Sequence, residues 1–170
     1  MLDLIQKGKQ GGPPRVVIYG QEGIGKSTFA ASAPKPVFLP TEDGLGQIEC
    51  DQFPFIKSYR EFLQYLAAIS TEEHDYQTLV VDSLDWLEKL IWADVYLQEK
   101  KINIEDIGYA KGYKFALTQW REVITAFDYI RNQKGMSIIL VAHAKVEKFE
   151  DPENPTYDRY TLALHKSADA

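Results

Sequence analysis

Short unbroken apolar runs alternate along this chain with stretches whose apolar residues recur every three or four positions. The runs read as strands covered on both faces, and the recurring stretches as helices with one buried face. Residues 15–19 place Val16, Val17 and Ile18 in succession after the Gly/Pro-rich segment 11–14, which predicts a first strand. Residues 20–25 break the pattern, 26–33 suit a short helix ended before Pro34, and Pro36–Pro40 supplies a second strand, completing a βαβ unit. Residues 53–56 suit another short strand. Ser58 and Glu61 match a capping box opening a helix that runs to about Ser70, and 77–81 is a fourth apolar run. A helix is expected over Leu84–Gln98. A longer one over 113–132 carries Ala116, Trp120, Val123, Phe127 and Ile130 on one face before Gly135 stops it. Residues 136–142, with Ile138 to Val141 consecutive and apolar, read as a strand buried on both faces. Residues 156–164 read as a weaker last strand, after an acidic, Pro-containing surface turn at 150–155.

Strands that alternate with helices and are apolar throughout predict an α/β fold, a mainly parallel β-sheet flanked by helices. A length of 170 residues suits one domain over 1–170, and 45% hydrophobic with 26% charged residues is the balance of a globular chain. The net charge of -6 has the wrong sign for coating nucleic acid by bulk charge neutralisation, so any such surface must be local. Cys50 is the single cysteine, which excludes an intrachain disulfide and a zinc site built from several thiolates. No run approaches the ~18 apolar residues of a spanning helix, and residues 1–14 are too polar and Gly-rich for a secretory signal. A cytoplasmic protein with no membrane partner is expected.

Gly20, Gly25, Lys26 and Ser27 fit GxxxxGK[ST] between a predicted strand and a predicted helix, the setting a phosphate-binding loop requires. The loop comprises Gly20, Gln21, Glu22, Gly23, Ile24, Gly25, Lys26, Ser27 and Thr28. Its glycines let successive backbone N–H groups turn toward phosphate oxygens, Lys26 can reach the β- and γ-phosphates, and Ser27 can offer its hydroxyl to Mg²⁺. Such a loop needs a carboxylate near the metal, and Asp82 follows the apolar run Leu79, Val80, Val81. The same position suits a helix N-cap, which Ser83 can serve equally. Hydrolysis also needs a group that orients or deprotonates water. Glu42 stands just past the second strand, at the edge a parallel sheet shares with the loop, and Asp43 competes with it. His143 follows the apolar strand at that edge. There a neutral imidazole can donate to a γ-phosphate and release the next segment on its loss, with Lys145 adding charge, or it can be a strand-end histidine without a ligand. His74 and His165 have no partner at metal-ligand spacing.

Leu79 to Val81 followed by Asp82 and Ser83 resembles the metal-binding strand of RecA-like ATPases, and Thr41-Glu42-Asp43 resembles their glutamate past the second strand. With residues 20–28 (GQEGIGKST), 41–45 (TEDGL), Tyr109-Ala110-Lys111-Gly112-Tyr113 and Val141-Ala142-His143, the whole chain resembles phage-encoded RecA-like P-loop ATPases associated with single-strand annealing and recombination. The resemblance implies a RecA-like fold, Glu42 as catalytic base, Asp82 as the Mg²⁺ residue, ATP rather than another nucleotide, and a location in the host cytoplasm. It implies assembly into a homo-oligomer that acts on single-stranded DNA. It places His143 where relatives carry a Gln that couples nucleotide to DNA. Those relatives usually continue into further strands, whereas residues 165–170 only begin another helix, which implies a truncated C-terminus.

For DNA, the residues themselves offer Tyr109, Lys111, Tyr113, Lys114 and Phe115, cations interleaved with rings as single-strand binding requires, or equally a helix start with solvated lysines. Residues 143–166 offer no basic patch: Lys145, Lys148, Arg159 and Lys166 face Glu147, Glu150, Asp151, Glu153 and Asp158. Two other functions fit the loop. A nucleotide-gated protein-interaction module would turn over slowly. A small-molecule kinase would need lid arginines, and the mid-chain offers Arg60, Arg121 and Arg131, all on predicted helices.

Overall fold

The computed structural model describes residues 2–5, 8, 11–108 and 111–166. Strands β1 (Arg15–Gly20), β2 (Pro36–Pro40), β3 (Asp51–Gln52), β4 (Thr78–Asp82) and β5 (Ser137–Phe149) lie side by side in the order β1-β5-β4-β2-β3, all parallel. A sixth, β6 (Tyr157–Leu162), runs antiparallel to the second half of β5. Among the described residues four α-helices cover the sheet: α1 (Lys26–Ala31), α2 (Tyr59–Thr71), α3 (Leu84–Gln98) and α4 (Lys111–Gln133). This is the expected α/β fold.

Because successive strand side chains point to opposite faces, each apolar run feeds two layers of core. Val37, Leu39, Leu79, Val81, Ile138 and Leu140 face the larger one, against Phe62 and Leu66 of α2, Leu87 and Ile91 of α3, and Val123, Phe127 and Ile130 of α4. Phe38, Val80, Ile139 and Val141 face the smaller one, against Ala30 of α1 and Leu45. All five residues of the expected α4 stripe are buried. Helix α2 is capped as its sequence predicts, with the Ser58 hydroxyl accepting the Glu61 N–H at 3.2 Å.

Two strands depart from expectation. The third occupies Asp51–Gln52 rather than 53–56, because Pro54 cannot donate to a ladder. The residues on either side of it still hold to β2, the Phe53 N–H donating to the Phe38 carbonyl and the Ile56 N–H to the Pro40 carbonyl, both at 2.9 Å, and they pack as well: Phe53 stacks on Tyr65 at 4.7 Å, and Ile56 is fully buried. Strand β5 does not end at Ala142. Residues 143–147 alternate polar and apolar, no Gly or Pro stops the strand before Phe149, and it continues as a hairpin with β6. Asp151 closes the turn by accepting the Glu153 N–H and the Asn154 amide, both at 2.9 Å.

Helix α4 begins against the turn before it with no room to spare. A Cβ added at Gly112 would lie 2.6 Å from the Ile104 carbonyl oxygen, whereas one at Gly46 would meet nothing within 4 Å. Gly112→Ala is therefore expected to lower stability by about 1–3 kcal/mol and Gly46→Ala by less than about 0.5 kcal/mol. Urea unfolding of both variants measures the difference, and equal midpoints would refute the close approach.

Candidate functional site

The register of the sheet decides what meets at its carboxyl edge. Pro40 pairs with Asp82, Asp82 with Val141, and Gly20 with His143, so the ends of β1, β2 and β4 and the middle of β5 share one level. The loop after β1 turns through left-handed glycines, Gly23 (φ 74°) and Gly25 (φ 95°), a backbone region that only glycine adopts without strain. Lys26 opens α1 and is only 8% exposed; its ammonium donates to the carbonyls of Gly20 (3.1 Å) and Gln21 (2.8 Å). The Gln21 amide donates to the Tyr160 hydroxyl at 2.8 Å, tying the loop to β6.

The end of β2 is fastened to the end of β4. Thr41 and Glu42 donate their N–H groups to the Asp82 carbonyl at 2.8 and 3.2 Å, and the Thr41 hydroxyl donates to the Ser83 carbonyl at 2.6 Å. This turns the Glu42 side chain inward, where its carboxylate accepts the Ser83 hydroxyl at 3.2 Å and stands 3.8 Å from His143 Nε2. Asp43 borders the same cleft but is exposed.

Asp82 ends β4 and is 7% exposed. Burial pushes its carboxyl above the ordinary carboxylate range, with the Ser27 hydroxyl, Lys26 and His143 pulling the other way. A buried carboxyl in that state gains from a cation beside it, and the hydroxyl of Ser27 is at hand, so this pair fits a Mg²⁺ ion. The N-cap of α3 is Ser83 rather than Asp82, and the Ser83 hydroxyl donates to Glu42 and makes no cap bond to the helix backbone.

Asp85, in the first turn of α3, was not legible as a site residue, because an acid there is ordinary helix chemistry. It is 9% exposed and accepts the His143 backbone N–H at 3.0 Å, while its two oxygens lie 3.0 and 3.2 Å from His143 Nδ1. Burial raises its carboxyl, but the hydrogen bonds from the His143 ring and backbone outweigh this and hold it below the usual range.

A cleft of about 310 Å³ thus gathers Glu22, Gly23, Gly25, Lys26, Ser27, Thr28, Glu42, Asp82 and His143. Three loop residues contribute otherwise: Gly20 ends the strand, Gln21 reaches Tyr160, and the Ile24 side chain is 71% exposed. A larger hollow of about 820 Å³ lies between β1, α4 and β6, but Val17, Tyr19, Trp120, Ile124, Leu140 and Leu162 make its walls mainly apolar. Phosphate chemistry needs converging polar groups, so the smaller cleft is the candidate site.

His143 departs from expectation in its surroundings. It lies inside β5, followed by paired strand rather than a loop free to be released, and Lys145 donates to the Leu164 carbonyl at 2.6 Å instead of adding charge to the cleft. The aromatic and lysine cluster is divided: Tyr109 lies outside the described residues, Tyr113 stacks on His165 at 4.1 Å, and Lys111, Lys114 and Phe115 are exposed. Among the described residues no helix is long and apolar enough to cross a membrane.

The SPbeta prophage-derived uncharacterized protein YorG of Bacillus subtilis (strain 168) is 26% identical to this chain over 170 residues. That alignment covers 95% of this chain and 50% of YorG, so the chain spans about half the length of that relative. The sequence pattern of the AAA domain matches residues 12–170, a span that takes in the loop, both strand-end carboxylates and His143. The chain belongs to the AAA domain family.

Proposed function

We propose that this protein is a Mg²⁺-dependent, RecA-like ATPase over residues 1–170 that works as a homo-oligomer on single-stranded DNA in phage recombination or annealing. The observation that carries the enzymatic part is the convergence of Lys26, Ser27, Asp82, Glu42 and His143 on one cleft. The loop N–H groups and the Lys26 ammonium bind the phosphates, and a buried ammonium is a stronger partner for them than a solvated one. Ser27 and Asp82 hold the metal, which supplies charge neutralisation on the phosphate oxygens. Glu42, its carboxylate steadied by the Ser83 hydroxyl, accepts the proton of the attacking water. The prophage relative and the family membership support a phage-associated ATPase. RecA-like recombination and the cytoplasmic setting rest on the motif resemblance.

Phosphate release from Mg-ATP, measured beside nucleotide affinity, tests the chemistry. Glu42→Gln should bind ATP normally and hydrolyse it about 10²- to 10⁴-fold more slowly, Asp43→Asn should remain close to wild type, and Lys26→Ala should lose binding. An Asp43→Asn that binds ATP but no longer hydrolyses it, beside an active Glu42→Gln, would reverse the assignment of the base.

The DNA part rests on exposed Lys111, Lys114 and Phe115 at the start of α4. With a net charge of -6 the lone subunit should bind poorly, and affinity should rise cooperatively once ATP assembles many such weak sites along one strand. Fluorescence anisotropy with labelled single strands is expected to show ATP-dependent binding. Replacing Lys111 and Lys114 by Ala should weaken it and flatten its salt dependence. A chain that remains monomeric with Mg-ATP and binds no DNA at low salt would refute this role and favour a nucleotide-gated protein-interaction module.

A further inference from the structure

We propose that Asp85 is a positioning residue for hydrolysis: it fixes the ring proton of His143 on Nδ1, and so makes Nε2 an acceptor for the attacking water opposite Glu42. The proposal rests on the reading of the cleft as a hydrolytic site and adds to it the device that orients the water.

The chain of contacts is continuous. Asp85 accepts both the backbone N–H of His143 and a contact from Nδ1 at 3.0 Å, so backbone and ring are held by one buried carboxylate. An ionised carboxylate has only acceptor lone pairs, and the ring nitrogen facing it must therefore carry a hydrogen. In a neutral imidazole the other nitrogen is then bare. That nitrogen faces Glu42 Oε2 across 3.8 Å. The gap is too long for a direct hydrogen bond, and a neutral ring facing a carboxylate brings no hydrogen to it.

Two acceptors that face each other are reconciled by a donor between them, and a gap beyond about 3.5 Å is where a bridging water belongs. One water donating to two acceptors, each about 2.8 Å away, spans roughly 4.4 Å, so a small outward movement of Glu42 suffices. Both hydrogens of such a water are committed, which leaves its lone pairs to face the phosphate side of the cleft, where Lys26 lies. In the reaction the water oxygen bonds to the γ-phosphorus and the bond from that phosphorus to the β–γ bridging oxygen breaks. Its electron pair leaves on ADP, and the proton passes to Glu42. His143 holds the second hydrogen throughout and gains no charge.

This differs from the donor role expected of His143 from its position alone: with Nδ1 committed to Asp85, a neutral ring has no hydrogen left to give a phosphate. It also separates Asp85 from Asp82. The hydrogen-bond partner of Asp82 in the cleft is the Ser27 hydroxyl, and His143 acts on it only through its charge, whereas Asp85 contacts the His143 ring directly at 3.0 Å.

The test compares wild type, Asp85→Asn, His143→Gln and the double variant, by ATP hydrolysis and by ¹⁵N NMR of the His143 ring at pH 8. The Asn amide can still accept the His143 backbone N–H, but its NH₂ then faces the ring and drives the proton to Nε2. Asp85→Asn should cut kcat by about 10²-fold with KM for ATP unchanged. The NMR signal should report Nδ1–H in wild type and Nε2–H in the variant. In the His143→Gln background, Asp85→Asn should have almost no further effect, as expected of a residue acting through another. Asp85→Glu keeps the carboxylate and should restore the Nδ1–H ring and part of kcat, which a merely structural role would not. The proposal is overturned by wild-type turnover in Asp85→Asn, by additive losses in the double variant, or by a wild-type ring that carries hydrogen on Nε2. A wild type that binds Mg-ATP but never hydrolyses it would remove the hydrolytic reading and this proposal together, and shows itself before any variant is made.

Discussion

The junction between the ends of β2 and β4 is the constraint from which the rest of the cleft follows. Three hydrogen bonds hold Thr41 and Glu42 to the backbone of Asp82 and Ser83. Parallel pairing alone brings strand ends to one level, but it does not decide which way the residue after each strand points. The junction makes that choice. It sends Glu42 inward against the Ser83 hydroxyl, and it leaves Asp82 as the last residue of a fully buried strand, beside the loop. An exposed carboxylate and one turned into the cleft differ here by a single residue, Asp43 against Glu42.

The cleft gathers charges at a cost to the fold. Asp82 is buried with its carboxyl pushed up, and Lys26 is buried on carbonyls rather than on water. A carboxyl whose folded pKa lies above its unfolded value favours the fold while protonated, and that contribution is lost as pH rises through the ordinary carboxylate range into the raised one. At neutral pH the protein thus holds an ionisable group that a cation would relieve, and stability traded for function is common at such sites. Asp85 shows the opposite balance. Its burial is more than offset by the hydrogen bonds from the His143 ring and backbone, so one of the two neighbouring acids is held as a carboxylate by a partner within the fold and the other is not.

How much of this was legible in the sequence follows from whether the deciding signal was local. The order of strands and helices was legible because unbroken apolar runs such as Leu79 to Val81 admit few other structures, and the α4 stripe was legible because its spacing is that of a helix face. The loop was legible because glycine is required where φ is positive. Residues 53–56 misled because Pro54 interrupts the ladder, leaving separate bonds from Phe53 and Ile56 to β2 rather than a paired strand. The reach of β5 past Ala142 depends on β6, which begins 15 positions further on at Tyr157 and pairs with it only after a turn is made, and no pattern within residues 136–142 announces it. Asp85 and the Gln21–Tyr160 bond are products of tertiary contact, 58 and 139 positions from their partners. A polar residue whose partner is that distant has no local signature.

The central claim is that one cleft at the carboxyl edge of the sheet holds the whole hydrolytic apparatus. A crystal structure with Mg²⁺ and a nonhydrolysable ATP analogue tests it most directly. The expected result places the terminal phosphate between Lys26 and Glu42, the metal on the Ser27 hydroxyl with Asp82 in its surroundings, and His143 Nε2 beside a water shared with Glu42. Phosphates bound outside the loop, a metal remote from Ser27 and Asp82, or Asp43 in the place of Glu42 would contradict it.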